Sequence, residues 1–212
     1  MPKETFHNLK PEKKEAIETA AVNEFAKYGY FNAKISRIAA EGKFAVGSFY
    51  QYFDDINDLF MHVFGKIADR KIGYIKAELK QCKNDNFEEK IRAICKGGIK
   101  FAIEEPDCFQ IGNTFMAVSK TPAFEKLMKY HIISEKNDWL EDIVKQAIED
   151  GDIRKDMTIE LFMLLFISIL SAILDYMGIL ESKEKFTEEN MIRMTDMAVD
   201  VLFRGISQGE EK

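Results

Sequence analysis

IETAAVNEFAKYGYFNAKISRIAAEGKFAVGSFYQYFDDINDLFMHVF, residues 17–64, is the stretch whose spacing decides the fold. Ile17, Ala20, Ala21, Phe25 and Tyr28 recur at steps of three and four, the signature of one buried helix face. Pro11 suits a first helical turn and Gly29 a C-terminal cap, so the spacing predicts a helix over 11–28. Ile35, Ile38 and Ala39 predict a short helix over 35–41, which Gly42 can end. A second short helix follows over 46–53. Asp54 and Asp55 then offer an N-cap to a long helix over 56–80, with Leu59, Phe60, Val63, Phe64, Ile67 and Ile75 as its apolar face. Three short helices, two of them joined by a tight turn, are the layout of a helix-turn-helix.

Outward from this segment the helical period persists. Residues 81–86 are polar and read as a loop. Asn86 caps a helix over 87–104, and Pro106 opens another over 106–118. A long helix is expected from Pro122 to Asp150–Gly151. Asp156 or Thr158 caps an apolar helix reaching Met177, and Thr187 opens a last helix that ends near Gly205–Gly209. No run alternates as a half-buried strand does, so the chain reads as all-α. The tail ahead of Pro11 is expected to be mobile.

Bulk properties narrow the function classes. Of 212 residues, 46% are apolar and 31% charged, enough to bury a core. The net charge of −6 argues against a whole-surface nucleic-acid binder but leaves room for a local patch. Residues 1–50 hold eight Lys/Arg against six acids, a balance of +2 in an acidic chain. Cys82, Cys95 and Cys108 stand apart with no C-x-x-C, which fits a reducing cytoplasm and no zinc cluster. The polar N-terminal residues carry no signal-peptide pattern. Leu161–Leu174 is free of charge but only fourteen residues long. That is shorter than the roughly 20 residues of a bilayer span, and it reads as a helix buried at a subunit interface. No membrane partner is expected.

The ordered residues of the first segment resemble the TetR/AcrR family of bacterial transcriptional regulators. Ala20-Ala21 and Phe25-Ala26 lead to Gly29-Tyr30, and Ile38-Ala39 follows at the family's interval. The run Gly47-Ser48-Phe49-Tyr50-Gln51-Tyr52-Phe53 is similar to the family's G-(T/S)-(L/F)-Y-x-(Y/H)-F, with Leu59 six residues on. The likeness covers about the first 65 residues by motif. It implies a helix-turn-helix DNA-binding domain over 1–55 and a helical ligand-sensing and dimerisation domain over 56–212. It further implies a homodimer through the last two helices, a double-stranded DNA operator, and release of a repressor by a small apolar or aromatic effector.

The second helix of such a motif lies in the major groove with its N-terminal residues at the base edges. Ala45, Val46, Ser48 and Gln51 are then groove-facing candidates, and Gly47 permits close backbone approach. Gln51 can pair with adenine, and Ala45 or Val46 can touch a thymine methyl. Tyr50 and Tyr52 are similar to the family's aromatic pair that meets bases and phosphates, while Phe49 and Phe53 face a core with Phe25, Ile38 and Phe60. The chain departs from the family at Val46 and Ile56, where Lys is common, at Lys43, where Gly is, and at Ala33, where Thr is. Asp54, Asp55 and Asp58 would repel phosphate, and Lys34, Arg37 and Lys43 are expected to supply charge instead. Weaker, less salt-sensitive DNA binding is therefore expected. The alternative is a ligand- or partner-binding protein of the same fold with weak or lost DNA binding.

For the effector pocket the implied lining is aromatic and apolar. From the middle helices the candidates are Phe101, Phe109, Phe115 and Met116. Farther along they are Tyr130, His131, Trp139, Phe162 and Phe166. Large side chains at helical spacing serve equally as plain core. No catalytic fingerprint, metal set or cofactor motif occurs: the only E-x-x-H is Glu4–His7, and neither a nucleophile elbow nor a phosphate loop is present, so no enzyme activity is expected.

Overall fold

A computed structural model describes residues 2–83, 86–118, 138–179 and 187–206, all helix, turn and connection with no strand among them. The helices are α1 (Glu4–His7), α2 (Pro11–Tyr28), α3 (Ile35–Glu41), α4 (Val46–Tyr52), α5 (Ile56–Leu79), α6 (Phe87–Glu104) and α7 (Pro106–Val118). After them come α8 (Asp138–Asp150), α9 (Ile159–Ile179) and α10 (Glu188–Ile206). A 3₁₀ turn, Tyr30–Asn32, links α2 to α3. The helix expected from Pro122 is described only over Asp138–Asp150; its earlier part lies outside the described residues. None of the described helices is long and apolar enough to cross a membrane.

The predicted caps explain most of these bounds. Asn86 Oδ1 accepts the N–H groups of Glu88 (2.8 Å) and Glu89 (3.3 Å) at the head of α6. Thr158 caps α9 through the Leu161 N–H at 3.2 Å, while Asp156 instead pairs with Arg154. Thr187 caps α10 through the Asn190 N–H at 3.3 Å. Gly29 leaves α2 at φ 71°, a region costly for any residue with a Cβ.

The described chain divides into two compact units, the break falling within α5 after Ile72 and again at the end of α6. The first unit gathers α1 to α4, the head of α5, and α7. In it α2 packs on α3 and α7, α3 on α4, and α1 on α4. Its core is Phe6, Ile17, Phe25, Ile38, Phe49, Phe53, Leu59 and Phe60, none more than 2% exposed. Each such side chain contributes roughly 1.5–3 kcal/mol when fully buried. Glu18 of α2 accepts His62 Nε2 at 2.7 Å and Lys66 Nζ at 2.6 Å, tying α2 to α5. Burial alone would raise the Glu18 carboxyl, but these two partners hold it below the usual range.

The second unit holds the end of α5, most of α6, and α8 to α10. Its core joins Phe87, Ile91, Ile94, Val144, Ile153, Phe162 and Phe166. Two charged knots staple it. Glu78, almost wholly buried, meets Lys96 at 2.9 Å and Lys100, and the Lys100 ammonium holds its carboxyl below the usual range. Arg92 of α6 meets Glu88 (2.6 Å), Asp196 (2.9 Å) and Asp200.

At Gly97 α6 lies close against α5: a Cβ there would lie 2.6 Å from Ile75 Cα and 2.8 Å from Ile75 N. Those are backbone atoms, so relief would require the helices to separate. At Gly98 the same addition meets nothing within 4 Å. Gly97→Ala is therefore expected to destabilise the second unit by about 1–3 kcal/mol despite alanine's helix preference. Gly98→Ala is expected to stabilise it by up to about 1 kcal/mol. Denaturant unfolding of the two variants checks the pair, and equal effects would contradict the close approach.

Candidate nucleic-acid interface

The turn between α3 and α4 is the geometry on which a helix-turn-helix rests. Gly42 ends α3 at φ −74°, and Lys43 takes the left-handed conformation at φ 54°. The Phe44 N–H reaches Ala39 O at 3.0 Å and the Lys43 N–H reaches Ala40 O at 3.4 Å, the paired bonds of a Schellman cap. The strained position is thus Lys43, one residue past the expected glycine. The next residue, Phe44, packs its ring toward Gly42 and Tyr52, and a Cβ on Gly42 would lie 2.8 Å from that ring.

Glu24 fixes where α3 begins. It is 3% exposed, and its Oε1 accepts the Lys34 backbone N–H at 2.7 Å. Both its oxygens take Arg37 Nε at 2.9 Å, and Arg37 also bonds Asn32 O at 2.7 Å. The Arg37 guanidinium lies 4.0 Å from the Tyr28 ring centroid. Its pairing with Glu24 raises its already high pKa. Arg37, expected as a phosphate ligand, is occupied inside the protein; the exposed cations of the motif are Lys34 and Lys43. Sequence reasoning missed Glu24, because a carboxylate in an amphipathic helix ordinarily reads as solvated.

The outward face of α4 carries most of the predicted set. Ala45, Val46, Gly47, Tyr50 and Gln51 are exposed, and Ser48 is half-buried. Val46 is 46% exposed and Tyr50 54%, large apolar surfaces that a small bundle gains nothing by leaving in water. Tyr52 is a correction. It is 6% exposed, with its ring against Phe6 and Phe44 and Lys13 Nζ 5.8 Å from its centroid. At about 100° per residue, positions 50 and 52 point some 200° apart, so only one of the two tyrosines can face outward. Phe49 and Phe53 are both fully buried.

The acidic cluster has a local use. Asp55 Oδ1 accepts the Asp58 N–H at 2.9 Å, and Asp58 Oδ2 accepts the Asp54 N–H at 3.2 Å. Asp55 thus caps α5, and Asp58 reaches back to the residue before the cap, an arrangement close to a capping box but shifted by one residue. Its negative charge sits against the positive end of the helix dipole. Asp54 also pairs with Lys3 Nζ at 2.8 Å, which holds its carboxyl below the usual range. Asp55 and Asp58 therefore serve the head of α5, while the Asp54 carboxylate is matched by Lys3.

Residues 17–63, the span of these helices, match the family model described as bacterial regulatory proteins, tetR family. The helix-turn-helix segment is therefore similar to that of the tetR family. Solved structures agree over nearly the whole length. A TetR family transcriptional regulator from Chloroflexus aurantiacus is 25% identical, with a TM-score of 0.64 over 98% of this chain and 99% of that one. FadR from Bacillus subtilis, solved with stearoyl-CoA, is 16% identical, with a TM-score of 0.71 over 91% of this chain and 98% of that one. The fatty acid degradation regulator FadR from Bacillus halodurans is 17% identical, with a TM-score of 0.71 over 93% and 97%. No curated protein sequence matches. The likeness places a helix-turn-helix of the DNA-binding kind in residues 17–63 and a regulator's fold around it.

The predicted effector residues are dispersed. Trp139, Phe162 and Phe166 join one cluster in the second unit, where Phe162 and Phe166 stack at 5.8 Å. Phe101 is buried there against Tyr74, their centroids 5.7 Å apart. Phe109 falls in the first unit, half-buried. Tyr130 and His131 lie outside the described residues, as do the side chains of Phe115 and Met116. Two hollows, of about 310 and 250 Å³, are lined by charged and uncharged side chains together, and neither holds any of the predicted effector residues. Among the described residues no group of three or more His, Cys, Asp or Glu could hold a metal. Burial and Glu105 push the Cys108 thiol up to about 11, so it is protonated at neutral pH and a poor nucleophile.

Lys43 gives a direct check on the turn. Lys43→Gly removes left-handed strain of about 1–2 kcal/mol, offset in part by glycine's freedom in the unfolded chain. Denaturant unfolding is expected to show a net gain of up to about 1 kcal/mol, and Lys43→Val a loss. Destabilisation by Lys43→Gly would contradict the assigned backbone.

Proposed function

We propose that this regulator is a homodimeric repressor, released from a double-stranded operator by a small apolar or aromatic effector. Residues 1–55 read DNA, and 56–212 sense the effector and form the dimer. The observation that supports the DNA reading most is the outward row Ala45, Val46, Gly47, Tyr50 and Gln51 on a helix whose opposite face is pinned in the core. Gln51 pairs with a base edge, Ala45 or Val46 touches a thymine methyl, and Lys34 and Lys43 meet phosphates. The reduced thiols suit a cytoplasmic protein.

Trp139 supports the sensing half. Its indole Nε1–H is buried and has no hydrogen-bond partner among the described residues. An unsatisfied buried donor costs roughly 1–3 kcal/mol, which an effector with an acceptor atom would recover. The apolar surroundings, Phe162 and Phe166 among them, suit an acyl chain or aromatic ring. A neighbour in fold that holds stearoyl-CoA supports the acyl class. Trp139 is the only tryptophan, so its emission reports on this place directly. Effector binding shifts the dimer toward a form that fits DNA poorly, acting through α5, the helix within which the chain passes from one unit to the other.

The last two helices support the dimer. On α9, Leu164 is 62% exposed and Ile167 47%; on α10, Met197 is 63% and Val201 68%. A second copy would cover this surface and place two recognition helices about one DNA turn apart.

These roles separate by fluorescence anisotropy on a duplex selected from a randomised pool by the unaltered protein. Gln51→Ala is expected to cost about 1–3 kcal/mol on that duplex and little on random DNA. Lys34→Ala is expected to weaken both and to make the salt slope shallower by about 0.9 for each phosphate it no longer neutralises. Leu164→Asp with Val201→Asp is expected to give monomers by sedimentation and to weaken operator binding about a hundredfold or more. Gln51→Ala acting equally on both duplexes would contradict base reading, and tight binding by the double Asp variant would contradict the dimer.

A further inference from the structure

Contrary to the expectation of a mobile tail, the first residues fold onto the recognition helix. α4 has seven residues, so its last carbonyls have few helical donors beyond them. The Phe53 N–H reaches Phe49 O at 2.9 Å. The next three carbonyls are taken from outside the helix. Lys3 Nζ donates to Tyr50 O at 2.8 Å, Thr5 Oγ1 donates to Gln51 O, and the Lys3 backbone N–H donates to Tyr52 O at 2.8 Å. The same ammonium pairs with Asp54 at 2.8 Å. One side chain anchors this arm: Phe6, 1% exposed, sits 4.9 Å from the Phe53 ring and 5.0 Å from the His62 ring.

We propose that residues 3–6 are a clamp on the recognition helix, with Lys3 and Thr5 as positioning residues for DNA reading. Two of the clamped carbonyls belong to Tyr50 and Gln51, whose side chains form the outward face. Fixing their peptide groups fixes the direction in which those side chains leave the helix. Base-edge hydrogen bonds need that direction held closely, within about 0.5 Å and 10–20°. A cation at a helix C-terminus is also favoured by the dipole. Lys3 does a second thing there: it pairs with the exposed Asp54 carboxylate, a charge that would otherwise repel a phosphate strand more strongly. The proposal rests on α4 being the DNA-reading helix.

The test uses the full chain and four variants: Thr5→Val, Lys3→Met, Lys3→Arg, and Lys3→Met combined with D54N. Amide hydrogen exchange over residues 46–53 is measured without DNA. Anisotropy then gives the preference for the pool-selected duplex over a random one. Thr5→Val and Lys3→Met are each expected to speed exchange at the end of α4. Each is also expected to cut the preference about fivefold, the size of one net hydrogen bond. Lys3→Arg, which keeps a donor and a charge, is expected to restore both readouts. The double variant is expected to regain affinity for random DNA but not the preference, separating charge masking from positioning. Unchanged exchange and preference in Thr5→Val and Lys3→Met would overturn the clamp. So would losses that Lys3→Arg does not restore, or losses that follow a lowered unfolding midpoint with exchange rising throughout the first unit. If the unaltered protein selects no duplex, the DNA reading fails by itself, and the exchange data still decide whether the arm holds α4.

Discussion

A helix of two turns cannot hold its own shape in water, and α4 is that short. Everything that makes it a fixed reading head comes from other elements. Phe49 and Phe53 are driven into the core from its inner face, Lys43 sets its entry angle, and Lys3 and Thr5 take the carbonyls at its exit. Glu24, buried on α2, holds the preceding helix through the Lys34 N–H and Arg37. The outer face is then left to Val46, Tyr50 and Gln51, whose exposure is stable only because their backbone is immobilised. Rigid support for an exposed, partly apolar face is what specific contact with a duplex demands, since disordered contacts would lose in entropy what they gain in hydrogen bonds.

The charges of the first unit are allotted by the same logic. Glu24, Asp55 and Asp58 serve N–H groups at helix starts, and Asp54 is matched by Lys3. An acidic chain in this way keeps Lys34 and Lys43 as exposed cations of the motif, alongside Glu41, Asp54 and Asp55, which also remain open to solvent. The second unit solves a different problem. Its helices α5 and α6 meet at glycine distance and are pinned by Glu78, Lys96 and Lys100, while α9 and α10 retain exposed leucine, isoleucine, methionine and valine.

Where periodicity and capping act together, the sequence is readable. The helices starting at Asn86, Thr158 and Thr187 begin where a side-chain oxygen meets an N–H two or three residues on. The helix-turn-helix is readable from ordered apolar spacing. Interactions that span many residues are not. α1 is four residues long and leaves no period; its significance lies in hydrogen bonds to residues 46 or more positions away. The motif puts Tyr52 outward because a motif describes residue types and not helix angle. Arg37 looks available in sequence because its partner Glu24 lies thirteen positions earlier on another helix. The effector residues are least readable, since Phe101 and Phe109 fall in different units and aromatic character alone does not separate a pocket from a core.

The most direct measurement of the central claim is selection from a pool of randomised duplexes by the full-length protein, followed by titration of the enriched sequence against a scrambled one. An enriched site with two-fold related halves, centred about one helical turn or a multiple of it apart, is expected. A preference of about a hundredfold or more, about 2.7 kcal/mol, is expected with it. Enrichment of no sequence, with only weak salt-driven binding, would contradict the claim that the exposed face of α4 reads DNA.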